Sequence, residues 1–352
     1  MYIKSVVSDL GKYEVIQQGD IPILGYSDDR PFEKYKSVIL FGDHTLSLYR
    51  PKAPFLLATD GIKILQSTIL KRDYLYYLTQ NYIPKSQGYK RHFSLLKQVF
   101  VNYSRDSSEQ SAIGSLFRTL DDLLASYKDN LANYQSFKET MLFKMFPKAG
   151  QTVPEIRLDG FDGEWEKSKL KDVAHRVQGN DGRMDLPTLT ISASGGWMDQ
   201  IDRFSANIAG KEQKNYTLLK KGELSYNHGN SKLAKYGVVF ELQEYEEALV
   251  PKVYHSFRVN QLADSKFIEI MFSTKIPDRE LGKLISSGAR MDGLLNISFD
   301  DFMNISIIIP TIKEQQAIGS YFSNLDNLIN SYQEKISQLR TLKKKLLQDM
   351  FI

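Results

Sequence analysis

Residues 109–146 of this 352-residue chain recur, without a gap, 205 positions later as residues 314–351. Of the 38 aligned positions 16 are identical, including Glu109/Glu314, Gln110/Gln315, Gly114/Gly319, Phe117/Phe322, Asp121/Asp326, Tyr127/Tyr332 and Met145/Met350. A duplication of this kind sets the architecture before local propensity does. Both copies carry apolar residues at alternating steps of four and three: Ile113, Phe117, Leu120, Leu124, Tyr127, Leu131 in one and Ile318, Phe322, Leu325, Ile329, Tyr332, Ile336 in the other. That spacing is the seam of a coiled coil. At ~1.5 Å per residue each helix runs for roughly 50 Å, too long for one globular core, so the two are expected to pack on each other through these stripes.

A larger mixed segment precedes each helix. The first has β-rich runs at Ser37-Val-Ile-Leu-Phe and Val99-Phe-Val-Asn-Tyr. The second has Gly237-Val-Val-Phe, Val253-Tyr-His-Ser-Phe-Arg-Val and Ile305-Ser-Ile-Ile-Ile. Gly and Asn break these runs as they break strands. Their ends correspond too, Phe93 to Tyr103 lying against Phe299 to Ile309. The Pro- and Gly-rich stretch between the halves reads as a linker. The organisation expected is a globule over 1–107, a helix over 108–146, a linker over 147–164, a second globule over 165–312 and a second helix over 313–352.

Composition closes off several classes. The chain has no Cys, which removes disulfide scaffolds, thiol nucleophiles and zinc ribbons. Lys4, Asp9, Lys12, Glu14 and Asp20 interrupt any secretory apolar core, and no run is long enough for a membrane span, so a cytoplasmic protein without membrane contact is expected. His44, His92, His175, His228 and His255 show no metal spacing, and no phosphate loop or nucleophile elbow occurs. Asp202 with Glu212-Gln-Lys214 is the one nuclease-like arrangement, of a kind common by accident.

The linker Val153-Pro-Glu-Ile-Arg-Leu-Asp-Gly-Phe-Asp-Gly-Glu-Trp-Glu, the two Glu-Gln-x-Ala-Ile-Gly helix openings and Ser287-Gly-Ala-Arg-Met-Asp-Gly-Leu resemble the specificity (S, HsdS) subunits of type I restriction–modification systems. The resemblance covers essentially the whole chain. It implies an α+β fold: two mixed α/β target recognition domains separated by two long antiparallel coiled-coil helices with a pseudo-twofold repeat. It implies that each domain reads one half of a bipartite DNA target and that the helices set the spacing and dock the methyltransferase subunits. The chain itself is then not an enzyme and binds no cofactor. Two methyltransferase (M) subunits and two restriction/translocase (R) subunits are the implied partners, carrying S-adenosylmethionine, ATP and Mg. The first globule is the shorter, 107 residues against 148, and reads as a compact variant, with a truncation as the alternative. A Mg-dependent nuclease and a coiled-coil adaptor without DNA readout are the alternative classes.

Reading duplex DNA requires cations for phosphates and amide, guanidinium or imidazole groups for base edges. The net charge of +4 conceals an uneven distribution, with residues 1–107 carrying 15 basic against 10 acidic side chains and residues 165–312 carrying 19 of each. In the second globule, Lys211, Lys214, Asn227, His228, Asn230, Ser231, Lys232 and Lys235 form a basic stretch around a Gly turn. Arg176, Gln178, Asn180 and Arg183 form a second candidate, and Arg290 a third. In the first globule the candidates are Lys36, His44 and the triplet Lys90, Arg91, His92. Half-sites on one face of DNA lie about 34 to 36 Å apart per turn, a distance the helices are long enough to span.

Overall fold

In the computed structural model of the chain, which describes residues 3, 6–88, 90–204, 210–229, 231–285 and 294–351, short apolar runs become strands and the repeated segments become helices. The first globule comprises β1 (Tyr13–Ile16), β2 (Ile23–Ser27), β3 (Val38–Gly42), β4 (Leu48–Tyr49), β5 (Phe55–Leu57) and β6 (Ile62–Gln66), then α1 (Arg72–Asn81) and the one-turn α2 (Phe93–Leu96). The long helix α3 (Ser107–Lys144) follows. The second globule comprises β7 (Glu166–Lys169), α4 (Leu170–Val173), β8 (Ala174–Arg176), β9 (Leu189–Ser192), β10 (Gly196–Asp199), α5 (Gln200–Phe204), β11 (Thr217–Lys220), β12 (Leu224–Asn227), β13 (Val238–Glu241), β14 (Glu247–Val250) and β15 (His255–Val259). It is completed by α6 (Ser265–Ser273), α7 (Asp278–Lys283), α8 (Phe299–Met303) and β16 (Ser306–Ile309), and the second long helix is α9 (Ile312–Met350).

The chain divides into two compact units, Met1–Leu131 with Ser331–Ile352, and Ala132–Asn330. In the first unit β1 pairs antiparallel with β2 and parallel with β5, while β3 pairs antiparallel with both β4 and β6. The run Val38-Ile-Leu-Phe is buried throughout, as a strand covered on both faces must be. A second cluster joins Tyr74, Tyr77 and Leu78 of α1 to Ile113, Phe117 and Leu120 of α3 and to Phe351 after α9. Each such fully buried side chain contributes roughly 1.5–3 kcal/mol of transfer free energy. Asp106 caps α3, its Oδ1 accepting from the Ser108 N–H at 2.7 Å.

The second unit centres on an antiparallel sheet of order β13-β12-β15-β8. Its core holds Leu224, Tyr226, Phe257, Phe267 and Phe302, joined by Phe146 from the exit of α3 and by Ile318 and Phe322 from α9. Tyr226 stacks flat on Phe302 with ring centroids 4.4 Å apart.

Within each unit the helix segments run antiparallel. In the first, Asp121 meets Lys343 and, one turn and a half along α3, Tyr127 meets Tyr332, which lies earlier in α9. In the second, Lys138 meets Asp326. The seam residues Ile113, Phe117, Leu120, Leu124, Ile318, Phe322, Leu325, Ile329 and Ile336 are buried. Tyr127, Leu131 and Tyr332 are half-buried.

One duplicated device mounts each globule on its helix. Gln110, at the start of α3, donates through Nε2 to the Ile69 and Ser104 carbonyls and accepts at Oε1 from the Lys71 N–H. Gln315, at the start of α9, donates to the Leu262 and Pro310 carbonyls and accepts from the Asp264 N–H. Both glutamines are buried, and each holds the residue that precedes a short helix, α1 or α6. One turn further on, Gly114 lies under α1 and Gly319 under the N-terminus of α6, so close that an added Cβ would stand 3.0 Å from the Tyr74 N and 3.1 Å from Asp264 Oδ1 respectively.

Residues 99–103, read from sequence as a strand, form none. In the second unit the equivalent β16 pairs with β7, which follows the linker. Among the described residues of the first unit no strand pairs with 99–103, and Phe100 is 97% exposed. The helix bounds shift slightly as well. The helix α3 ends at Lys144, short of Pro147, and α9 begins two residues after Pro310.

Candidate nucleic-acid interface

In the second unit the sheet presents cations at both edges. At one, Arg176 is exposed on the edge strand β8, its guanidinium carbon 4.4 Å from the centre of the Phe299 ring. Phe299 meets His255 edge-on at 5.6 Å, and His255 stacks on His228 at 4.7 Å. Arg176 therefore ends a ladder of rings. A guanidinium laid on a ring retains a planar, pre-oriented fork for a base edge or phosphate. At the other edge, the connection from β12 to β13 exposes Ser231, Lys232 and Lys235. Lys235 lies over the Tyr236 ring, and the Ser231 hydroxyl accepts from the Ala234 N–H, which shapes the turn.

Other residues expected to face DNA are turned to structural use. His228 is 3% exposed, with Nδ1 2.7 Å from the Leu295 carbonyl and Nε2 2.9 Å from the Val253 carbonyl, so neither nitrogen is available to a base. Asn227 donates to the Ile191 carbonyl and accepts from the Gly229 N–H. Asn180 donates to the Arg183 and Gln213 carbonyls. Arg183 is held between Asp181 and Glu247 at 2.8 and 2.6 Å, which neutralises its charge and holds both carboxyls below their ordinary range. Gln178 and Lys214 are exposed. Asn230 and Arg290 lie outside the described residues, as does the side chain of Lys211.

In the first unit His92 is fully buried. Its Nδ1 lies 3.0 Å from the Asp43 carbonyl and its Nε2 accepts from the Gln87 N–H, so it fastens a loop to β3 and contacts no solvent. His44 is half-buried in the turn after β3, its N–H donating to Gln18 Oε1. Lys36 and Lys90 are exposed. Arg91 lies 3.5 Å from Asp60, both largely exposed, a pairing of little energetic weight.

Sequence reading passed over Gln110 and Gln315 as mounts, although both stand in the repeat. It also passed over Arg50, Lys71, Arg72 and Arg118, which gather beside Lys36; the Lys71-Arg72 doublet at the start of a helix was their visible signal. Among the described residues no group of three or more His, Cys, Asp or Glu side chains is placed to hold a metal ion. Asp202 is exposed on α5, and Glu212 accepts from the Asn215 amide. Among the described residues, no helix is long and apolar enough to cross a membrane.

A family model described as the type I restriction modification DNA specificity domain matches residues 162–341. The chain belongs to this family. It is a type I specificity subunit, and the fold agrees with a solved member. The crystal structure of the type I restriction–modification system S subunit from M. genitalium aligns with TM-score 0.58 at 15% identity, over 99% of this chain and 91% of that one. Two further matches are a structure titled for complex assembly and conformational transition of the type I R-M system (TM-score 0.47, 12% identity, 91% and 82% covered) and the HsdS subunit from Thermoanaerobacter tengcongensis (0.45, 13%, 91% and 81%). No curated protein sequence matches the chain. Within the specificity family's fold, Gln110 and Gln315 occupy equivalent places in the two halves, whereas the globules they carry differ in length and strand order.

Proposed function

We propose that the chain reads a bipartite DNA sequence, one half through each globule, as the recognition subunit of a type I restriction–modification complex. The observation that carries this reading is the duplicated mount. Gln110 and Gln315 each make two hydrogen bonds to the chain ahead of α1 or α6 and a third to the carbonyl of a residue just ahead of their own long helix, Ser104 or Pro310, so two unlike globules are attached in one way to a repeated helix. A repeated frame bearing unlike readers suits an asymmetric split target. Arg176, Lys232 and Lys235 are the contacts favoured in the second half, and Lys36, Lys90 and Arg91 in the first.

The helices also present an apolar surface at one register position. Leu116, Leu123 and Phe137 of α3 recur by the 205-residue shift as Tyr321, Leu328 and Leu342 of α9, and all but the half-buried Tyr321 are 37–46% exposed. A stripe present twice fits a partner bound twice. We assign it to two methyltransferase subunits, with S-adenosylmethionine on them, and ATP and Mg on two restriction/translocase subunits. The chain then supplies sequence selection and no bond-making group. Purified together with its methyltransferase subunit, it is expected to direct adenine methylation to a split site. Methylation scattered without regard to sequence would overturn the reading. Cleavage by the chain alone with Mg, abolished by Asp202→Ala, would mark a nuclease instead, and absence of any salt-dependent duplex binding would mark an adaptor.

A further inference from the structure

The first unit contains a cleft of about 640 Å³ between β4, the start of α1 and one face of α3. Six of its lining side chains are cationic, Lys36, Arg50, Lys52, Lys71, Arg72 and Arg118, against two acids, Asp73 and Asp122. Asp73 is shared, with Arg50 at 3.2 Å and Arg118 at 3.4 Å. Among the described residues no carboxylate forms an ion pair with Lys36, Lys52, Lys71 or Arg72. Arg72 donates from Nη2 to the Pro51 carbonyl at 2.8 Å, while its buried Nε has no partner among the described residues. Burial first, with Arg50 and Arg118 adding to it against the opposing pull of Asp73, holds the Arg72 guanidinium below its ordinary value.

This charge does not belong to the duplicated frame. The equivalent hydrogen bonds of Gln110 and Gln315 place Lys71 where the second unit has Asp264, and hence Arg72 at Ser265 and Tyr76 at Glu269; the helix repeat places Arg118 at Ser323. At the three cationic positions Lys71, Arg72 and Arg118 the second unit is therefore neutral or acidic, and Lys266, which stands where the first unit has Asp73, is paired with Glu269 at 2.9 Å. A partner bound twice on related halves would call for the same charges twice. A ligand that is anionic, extended and different at the two ends does not.

We propose that this cleft seats the phosphodiester backbone of duplex DNA beside the half-site met by the first unit. The proposal rests on the reading of the chain as a DNA-recognition subunit and adds that its two halves grip DNA unequally. Exposed lysines with no acidic partner are free to displace counterions from phosphates, and each such contact steepens the salt dependence of binding. The contact carries no base information, since phosphates position the protein and base edges specify the sequence.

The test is fluorescence anisotropy of a labelled duplex containing the target, titrated with the full chain across roughly 50 to 200 mM salt. Lys36→Gln/Lys52→Gln/Lys71→Gln is expected to flatten the slope of log K against log salt by about 2 to 3 and to weaken binding to target and non-target duplexes alike. The matching triple change to Arg should retain the slope, which separates lost charge from lost folding. The same charge change on α9, Lys313→Gln/Lys344→Gln/Lys345→Gln, should move the slope far less. Equal effects of the two Gln triples would overturn the cleft as a site, as would an unchanged slope in the cleft variant beside a steep one in the wild type. A cleft variant that binds DNA normally and no longer retains the methyltransferase subunit would overturn it in favour of a protein surface. Wild-type chain with no salt-dependent DNA binding would sink the recognition reading itself.

Discussion

Lys343 of α9 donates to Asp121 of α3 in the first unit, and Lys138 of α3 donates to Asp326 of α9 in the second. It is one ion pair made twice with the roles of the helices exchanged, because Asp121 and Lys138 recur as Asp326 and Lys343 by the 205-residue shift. The two copies are not equally embedded. Asp121 also accepts from the Tyr77 hydroxyl at 2.6 Å and lies 3.5 Å from Arg50, whereas Lys138 and Asp326 are 30% and 37% exposed. Asp121→Ala strips a partly buried cation and a phenol of their shared acceptor and is expected to cost about 2–4 kcal/mol. Asp326→Ala breaks a solvent-screened pair and should cost about 0–1 kcal/mol. Urea unfolding of the two variants, followed by helical circular dichroism, checks the ranking.

Gln110 and Gln315 are each expected to be irreplaceable as mounts. Gln315→Ala leaves the Leu262 and Pro310 carbonyls and the Asp264 N–H unpaired in a buried place, at a cost of about 2–4 kcal/mol. Gln315→Glu keeps an acceptor, loses both donors and buries a charge, so it should fare no better. Chemical denaturation of both variants, and of Gln110→Ala in parallel, measures this.

The helix glycines separate a backbone collision from a side-chain one. A Cβ on Gly114 meets the Tyr74 N and the Asp73 Cβ at 3.0 Å, atoms that α1 cannot move without shifting. On Gly319 the nearest atom, at 3.1 Å, is a carboxylate oxygen of Asp264. Alanine gains about 1 kcal/mol of helix propensity at either site. Gly114→Ala should nonetheless lose about 1–3 kcal/mol, while Gly319→Ala should be near neutral. Midpoints of thermal unfolding will show the difference.

Stability should fall as the pH drops through the histidine range. Burial foremost, with His228 and Arg176 beside it, holds the His255 imidazole down to about 4 from an ordinary 6.5, against the hydrogen bond to the Ile297 carbonyl. Between these values the unfolded chain takes up a proton that the folded chain refuses, so stability is intact above 6.5 and is lost progressively down to about 4, by a total on the order of 3 kcal/mol. Asp278 works in the opposite sense. Burial raises it from 3.8 to about 6, so the folded state binds its proton first and gains as the pH falls through that window. Asp278→Asn removes the offset, and unfolding measured across this range should show a steeper loss in the variant than in the wild type.

The frame was legible in the sequence because it is written in spacing. Apolar steps of four and three mark which side of a helix is buried, and the shift of 205 pairs Phe117 with Phe322 and Asp121 with Asp326 directly. The surface proposed to meet DNA was less legible. His92 and His228 have the residue type of base readers, but their partners, Asp43 and Leu295, lie 49 and 67 residues away, and only the fold reveals that both rings are spent on carbonyls. The run at 99–103 looks like a strand by composition, yet a strand needs a neighbour, and the equivalent neighbour in the second half is β7, beyond the linker. The basic cleft was hidden for the same reason, since Lys36, Lys71 and Arg118 come together only when β3, α1 and α3 are packed.

Two unlike globules on one repeated frame are proposed each to read half of a DNA target. Single-molecule mapping of methylated adenines, in cells carrying the methyltransferase subunit with the wild-type chain or with Arg176→Ala/Lys232→Ala, tests this reading most directly. One split sequence is expected for the wild type and, for the variant, relaxed bases in a single half with the other half and the spacing retained. Relaxation of both halves together, or methylation unrelated to any split sequence, would contradict it.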